Sequence, residues 1–342
     1  MKYNLLGKTG VLVSEMCLGT MTFGGVGYWK AVGNLQQQDV NTIVKSALDQ
    51  GINFIDTANA YSEGMSELLL GKALKELGIN RQQVVIATKL RLRMGPGANQ
   101  VGLSKLHIRD AVDDSLQRLN IPHIDLLYIH GVDTLTPLEE TMNGLDDVVM
   151  AGKVRYIGIS NHPAWKVVKA NGISEKMNYA KFCALQNYYS IASRDIEREI
   201  VPMAISEGLA LMPWSPLAGG FLSGKFTRNK EIAGDSRRDA FDFPPLNKSK
   251  AFDIIDILIE IGKRHNVSAA RVALAWMLKK HFVTSIIIGA KTSEQLSDNI
   301  LATKLILSDE EIQQLDTISA LTAEYPAWMI ERQGNERLPD QK

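Results

Sequence analysis

Eight short apolar runs alternating with longer amphipathic stretches are the feature that most constrains the fold of this chain. The runs have the length and β-branched content of buried strands. They end near Gly19, Asp56, Lys89, His130, Ser160, Gln186, Trp214 and Gly289. Apolar side chains are spaced as on one helix face over residues 39–50, 65–77, 104–119, 137–151, 193–207 and 268–280. This alternation, without a low-complexity linker, predicts an α/β chain folded as a single (β/α)8 TIM barrel.

Two further apolar runs near the N-terminus do not belong to this alternation. They lie within residues 2–14 and flank a Gly-Lys-Thr-Gly tetrapeptide, which predicts a β-hairpin at the bottom of the barrel. We expect one domain over residues 1–342, with a core at about 3–319 and a C-terminal tail at 320–342. A doubly wound dinucleotide-binding sheet is the rival fold. The glycines at 19, 24, 25 and 27 lack the G-x-G-x-x-G spacing which that fold requires.

The charge and cysteine content argue against several classes of protein. The 38 lysines and arginines equal the 38 aspartates and glutamates, which gives no sign of nucleic-acid binding. Cys17 and Cys183 lie in apolar runs, so we expect buried thiols in a reducing compartment. The six histidines form no metal-ligand pair, and no apolar run approaches the ~20 residues that span a bilayer. The N-terminus also lacks the apolar core of a secretory signal. We therefore expect a cytoplasmic protein without metal, membrane or nucleic-acid partners, and its oligomeric state is open.

Reactive side chains stand where the predicted barrel would carry its chemistry, at the C-terminal ends of its strands. Asp56, Lys89 and His130 end three successive runs, and Tyr61 follows Asp56 by five positions. A tyrosine phenol has a pKa of about 10, and a nearby ammonium group lowers that pKa. An aspartate would keep the lysine charged, and a histidine would hydrogen-bond a substrate oxygen. Together these groups would protonate a carbonyl oxygen while a hydride reaches its carbon.

Each of these residues also has an ordinary structural explanation. Asp56 alone would be read as a cap, Lys89 as a strand-end lysine reaching solvent, and Tyr61 as a loop aromatic. His130 is as readily a core histidine as a functional one. Their coincidence at successive strand ends is what favours catalysis.

The chain resembles the aldo-keto reductases from about residue 3 to about residue 319. The resemblance rests on NFIDTANAYSEGMSELLLGKAL at 53–74, VVIATK at 84–89, IDLLYIH at 124–130, GKVRYIGISN at 152–161, ALQNYYS at 184–190, MPWSPLAGGFLSGK at 212–225 and IIIGAKTSEQLSDN at 286–299. It implies that Asp56, Tyr61, Lys89 and His130 form a catalytic tetrad with Tyr61 as the proton donor. It also implies reversible, NADPH-dependent reduction of an aldehyde or ketone.

The same resemblance implies an extended NADPH/NADP cofactor. The nicotinamide would be bordered by Gly19, Thr20 and Met21. Its carboxamide would be bound by Ser160, Asn161 and Gln186, and its ring would pack on Trp214. Ser215, Leu217, Gly219, Gly220 and Lys225 would hold the pyrophosphate, and Gly289, Lys291, Gln295 and Asn299 the adenosine end. Lys291 is the candidate for the 2′-phosphate, which favours NADP over NAD. Trp214 departs from the tyrosine or phenylalanine common at the stacking position.

The substrate is expected to be a small carbonyl compound or alcohol, held by loops at the barrel mouth. Phe23, Tyr28 and Trp29 are the candidate pocket residues, and Phe241 and Phe243 are candidate lid residues. Two other functions stay open. One is a cofactor-binding redox sensor or channel auxiliary subunit with little turnover. The other is a lysine-based aldolase, although an aspartate paired with Lys89 would oppose the neutral amine that Schiff-base chemistry needs.

Overall fold

The strands of the computed structural model form one hairpin and one large parallel sheet, over described residues 1–228, 238 and 241–335. The strands are β1 (Tyr3–Leu5), β2 (Leu12–Ser14), β3 (Met16–Gly19), β4 (Phe54–Asp56), β5 (Val85–Leu90), β6 (Ile124–Ile129), β7 (Val154–Ser160), β8 (Phe182–Tyr188), β9 (Ala210–Trp214) and β10 (Ile286–Ile288). The helices are α1 (Gln37–Asp49), α2 (Met65–Glu76), α3 (Lys105–Leu119), α4 (Leu138–Met150), α5 (Ala164–Met177), α6 (Ile200–Glu207), α7 (Lys248–His265), α8 (Ala269–Leu278), α9 (Ser293–Ile300), α10 (Asp309–Ile318) and α11 (Ala327–Asn335).

The large sheet closes almost completely on itself. Its order is β10-β3-β4-β5-β6-β7-β8-β9, and all neighbouring strands are parallel. At the remaining seam, Thr284 N donates to Leu211 O at 2.9 Å, and Leu211 N donates to Thr284 Oγ1 at 3.1 Å. The predicted eight-stranded (β/α)8 barrel is confirmed, and each of the eight predicted runs contains one of its strands.

Side chains alternate between the inside and the outside of the barrel, as the period of two in a strand requires. In β6, Leu126 and Tyr128 are buried in the interior, whereas Leu127 and Ile129 pack in a cluster with the surrounding helices. The predicted N-terminal hairpin is confirmed as antiparallel β1 and β2. Its Leu6 joins the interior cluster, so the hairpin lies against the barrel.

The helices are where sequence and structure differ. The predicted helix over 193–207 is a 3-10 turn at Asp195–Glu197 followed by the short α6. Of the helices in the described part of the chain, five were not predicted from the sequence: α5, α7, α9, α10 and α11. Within the described residues, none of the helices combines the length and the apolar character that crossing a bilayer demands.

Candidate active site

A cavity of about 240 Å³ lies at the C-terminal ends of the barrel strands. Of the residues predicted to form the site, eleven line this cavity: Gly19, Met21, Trp29, Asp56, Tyr61, His130, Asn161, Gln186, Trp214, Ser215 and Gly289. Because parallel strands present all their C-terminal ends at one mouth, residues from distant parts of the chain converge there.

Lys89 connects the candidate catalytic residues at the cavity wall. It is fully buried, and its ammonium group donates to an oxygen of Asp56, to Thr57 O at 2.8 Å and to Tyr61 Oη at 3.2 Å. Gln186 Nε2 donates to the other oxygen of Asp56 at 2.8 Å. Four predicted site residues therefore form one continuous hydrogen-bonded group.

Burial and pairing act in opposite directions on the ion pair of Asp56 and Lys89. Burial lowers the pKa of Lys89, but the Asp56 carboxylate and the Tyr61 hydroxyl outweigh that effect and leave this pKa raised. Burial also raises the pKa of Asp56, against the opposing effects of Lys89 and Gln186. Lys89 thus keeps its proton near neutral pH, which disfavours the neutral amine that an aldolase would need.

The turn that carries Tyr61 is held by hydroxyl groups. Ser62 has a left-handed backbone with φ of 49°, and its Oγ donates to Phe23 O at 2.8 Å and accepts from Gly25 N at 2.9 Å. In the first turn of α2, Ser66 Oγ lies 2.8 Å from Thr20 Oγ1. These bonds tie the Tyr61 turn and α2 to the chain after β3.

His130 faces Tyr61 across the cavity, with ring centroids 5.8 Å apart. Its backbone is fixed, since His130 N donates to Leu90 O at 2.9 Å and Asn161 Nδ2 donates to His130 O at 3.0 Å. Burial, Lys89 and Arg91 lower the pKa of the imidazole to about 3. Within the described residues its Nδ1 is buried without a hydrogen-bond partner. A neutral imidazole is therefore present throughout the physiological range.

The low pKa of His130 makes a prediction about acid stability. In the unfolded chain this histidine takes up a proton below about pH 6.5, while in the folded protein it does not until about pH 3. The contribution of the neutral His130 to the unfolding free energy is therefore complete above about pH 6.5 and is lost as the pH falls from 6.5 towards 3. Replacing His130 with asparagine should reduce the loss of unfolding free energy between pH 7 and pH 5 by about 2 kcal/mol. Urea titrations of both proteins at each pH measure this difference, and equal losses would contradict it.

The residues predicted to bind the nicotinamide carboxamide lie together. Asn161 has a left-handed φ of 56°, and its Oδ1 accepts from Trp214 Nε1 at 3.1 Å. Its Nδ2 also donates to Ser160 Oγ at 2.8 Å, and its N donates to Gln186 O at 3.3 Å. Because Gln186 also contacts Asp56, this amide cluster is continuous with the candidate catalytic group.

The segment predicted to hold the pyrophosphate has a backbone suited to an anion. Ser215, Ala218, Gly219 and Gly220 all have left-handed φ values, and Gly219 N donates to Ser215 Oγ at 2.9 Å. A Cβ added to Gly220 would meet no atom within 4 Å, so the backbone borders open space. Leu217 is half-buried and Lys225 is exposed at the end of this segment. The left-handed backbone, the open space beside Gly220 and the exposed lysine fit a phosphate group.

The residues predicted for the adenosine end lie just before α9 and within it. Lys291 is exposed, and its N donates to Gln295 Oε1 at 3.0 Å. Gly289 is exposed, with no atom within 4 Å of an added Cβ, and Asn299 is buried in α9. The side chain of Lys291 is therefore available to a ligand.

Of the three predicted substrate residues, the structure places only Trp29 on the cavity. Phe23 is fully buried in the hydrophobic core, and Tyr28 is 62% exposed on the outer side of Trp29. Sequence reasoning assigned no site role to four lining residues: Thr22, Val32, Leu92 and Ile287. Phe243, a predicted lid residue, also lines the cavity. The apolar members come from segments far apart in the chain, and no local signal marks them.

Comparison with known proteins identifies relatives over most of the chain. A model of the "Aldo/keto reductase family" matches residues 15–320. A norsolorinic acid reductase of Emericella nidulans is 39% identical over 316 residues, which is 90% of this chain and 79% of that protein. A versiconal hemiacetal acetate reductase of Aspergillus parasiticus is 35% identical over 334 residues, at 92% and 96% coverage. An Arabidopsis thaliana protein named "Probable voltage-gated potassium channel subunit beta" is 34% identical over 312 residues, at 90% and 92% coverage.

Proposed function

The chain belongs to the aldo/keto reductase family, and on that premise we propose that it reduces an aldehyde or ketone to an alcohol, reversibly and with NADPH. The family and its reductase relatives support carbonyl reduction and a nicotinamide cofactor in general. The observation that carries the finer proposal is the contact of Tyr61 Oη with the Lys89 ammonium, which is itself paired with Asp56.

In this proposal the four side chains manage the proton while a bound nicotinamide supplies the hydride. The substrate carbonyl oxygen lies between Tyr61 and His130, and the neutral imidazole donates a hydrogen bond to it. The Tyr61 hydroxyl donates its proton to this oxygen as the hydride forms the new C–H bond. The Lys89 ammonium at 3.2 Å stabilises the resulting phenolate, and Asp56 fixes the ammonium.

In this proposal three groups of residues bind the cofactor, one at the nicotinamide, one at the pyrophosphate and one at the adenosine end. Ser160, Asn161 and Gln186 bind the carboxamide, and Trp214 packs on the nicotinamide ring. The left-handed backbone at Gly219 and Gly220, which borders open space at Gly220, fits a pyrophosphate together with Ser215, Leu217 and Lys225. Gly289, Lys291, Gln295 and Asn299 hold the adenosine end, and Lys291 binds the 2′-phosphate. We also propose a cytoplasmic location, since Cys17 and Cys183 are both free thiols.

The test is oxidation of NADPH and of NADH by aromatic and aliphatic aldehydes, sugars and cyclic ketones. Replacing Lys291 with glutamine should raise KM for NADPH about ten- to a hundredfold, because a charge-assisted contact to phosphate is lost. KM for NADH should stay the same, since NADH lacks the 2′-phosphate. Replacing Lys304, another exposed lysine, with glutamine is the control. Equal effects of Lys291→Gln on both cofactors would assign the 2′-phosphate to another residue.

A cofactor-binding subunit with little turnover is the second candidate. The similarity to the Arabidopsis protein named as a channel subunit is the observation in its favour. Tight NADPH binding without oxidation across the whole substrate panel would favour this function over the reductase. Turnover of any aldehyde or ketone at a rate typical of enzymes would favour the reductase.

A further inference from the structure

Aromatic side chains from two distant segments meet over the cavity. Trp29, from the 3-10 turn at Gly27–Ala31, lies edge-on to Tyr61 with centroids 5.2 Å apart. Phe243 lines the cavity and stacks on Trp214 at 5.7 Å, and Phe241 lies 5.4 Å from Phe243. Phe241 also packs against the cluster around Tyr61. The segment of Phe241 and Phe243 is therefore a wall of the compartment in which the carbonyl would react.

This wall touches the proposed pyrophosphate segment directly. A Cβ added to Gly219 would lie 2.6 Å from Phe243 O, so the two backbones meet at a position that only glycine permits. Gly219 also has a left-handed φ of 67°. A displacement of the segment around Gly219 would therefore be transmitted to Phe243.

Arg238 fastens the two segments together. Its side chain is 4% exposed, and its guanidinium donates to Ala218 O at 2.6 Å and to Pro244 O at 2.8 Å. It also donates through Nε to Asp242 at 2.9 Å, and its charge lies 5.4 Å from the Phe221 ring centroid. Ala218 and Phe221 belong to the proposed phosphate segment, while Asp242 and Pro244 flank Phe243. The planar guanidinium group of Arg238 therefore hydrogen-bonds to both segments at once and fixes their relative position. The single ammonium group of a lysine cannot reproduce this geometry.

We propose that Arg238 is a positioning residue that couples the cofactor site to the substrate compartment. Arg238 is not one of the residues that line the cavity. Through Ala218 it fixes the backbone proposed to meet the pyrophosphate, and through Asp242 and Pro244 it fixes the aromatic wall. The inference rests on the proposed function for the identity of the two ligands. A purely structural role would lower thermal stability without moving the two ligand affinities together.

The test compares Arg238→Met with a matched control, Arg228→Met. Arg228 also pairs with an aspartate, Asp253, and lies 5.7 Å from the Phe252 ring centroid, but it is half-exposed and has no hydrogen bond to the described residues of either segment. Calorimetry measures the Kd of NADP+ and then the Kd of 4-nitrobenzaldehyde on the NADP+ complex, where no turnover occurs. We expect Arg238→Met to raise both Kd values about tenfold, the effect of losing charge-assisted hydrogen bonds. Arg228→Met should raise neither.

Further outcomes decide between coupling and simple scaffolding. Arg238→Lys, which keeps the charge but not the fork, should fold and should raise both constants by a smaller factor. The inference is overturned if Arg238→Met and Arg238→Lys change the Kd of only one of the two ligands, or of neither. It is also overturned if the wild-type protein binds NADP+ but does not bind 4-nitrobenzaldehyde. NADPH oxidation is measured separately on the wild type. Its absence refutes the proposed reductase, whereas the coupling is decided by the two binding constants.

Discussion

Replacing Tyr61 with phenylalanine is expected to lower kcat for carbonyl reduction about a thousandfold, the typical contribution of a positioned general acid. The change removes one oxygen atom and keeps the ring that packs beside Trp29 and His130. The Kd of NADPH should stay within about twofold of wild type, since loss of a group that acts only in the transition state leaves ground-state binding intact. Stopped-flow single-turnover kinetics at saturating NADPH measure the chemical step directly.

Tyr28→Phe is the matched control for that experiment. Tyr28 is also a tyrosine beside Trp29, with centroids 4.5 Å apart, but it is 62% exposed and does not line the cavity. Loss of its hydroxyl should leave kcat unchanged. Retention of more than about a tenth of wild-type kcat in Tyr61→Phe would remove Tyr61 from the role of general acid.

The barrel was predictable because its strands carry a strong and local signal. A run such as IDLLYIH is apolar on both faces, as a strand buried between a barrel interior and its helices must be. Among the unpredicted helices only α5 has a weak apolar stripe, whereas α7, α9, α10 and α11 are as amphipathic as the predicted helices. For three of these helices the N-terminal cap is also readable in the sequence. Ser308 forms a capping box with Glu311 at the start of α10, and Asn247 and Thr292 cap α7 and α9. Weighting these caps more heavily would have located three of the helices.

The site also has one part that the sequence predicts, at the strand ends, and one part that it does not, in the loops. Asp56, Lys89 and His130 could be grouped because the ends of barrel strands converge whatever the loops do. Contacts between loops follow no such rule. Nothing near Arg238 in the sequence indicates a bond to Ala218, twenty residues earlier, and the burial of Phe23 is set by tertiary packing. Trp29 and Tyr28 are neighbours in sequence, yet only the first lines the cavity.

Replacing Lys89 with methionine is expected to reduce the unfolding free energy by about 3–5 kcal/mol, because it leaves the Asp56 charge buried without its counter-ion. Asp56 is 2% exposed, and among the described residues Gln186 Nε2, at 2.8 Å, would be its remaining side-chain hydrogen-bond partner. Turnover should also fall sharply, since no ammonium is left beside Tyr61. Urea denaturation at pH 7 measures the stability, and Lys45→Met in the exposed pair with Asp49 is the control, expected to cost about 0.5 kcal/mol or less.

Adding Asp56→Asn to Lys89→Met separates stability from chemistry. Asparagine is uncharged and keeps an oxygen for the Gln186 amide, so the double variant should recover most of the lost unfolding free energy. It should not recover turnover, because the group proposed to stabilise the Tyr61 phenolate is still missing. The double variant therefore tests whether the buried ion pair serves the reaction more than the fold. Recovery of both stability and turnover would show that Tyr61 acts without the ammonium, and recovery of neither would show that Lys89 matters chiefly through packing.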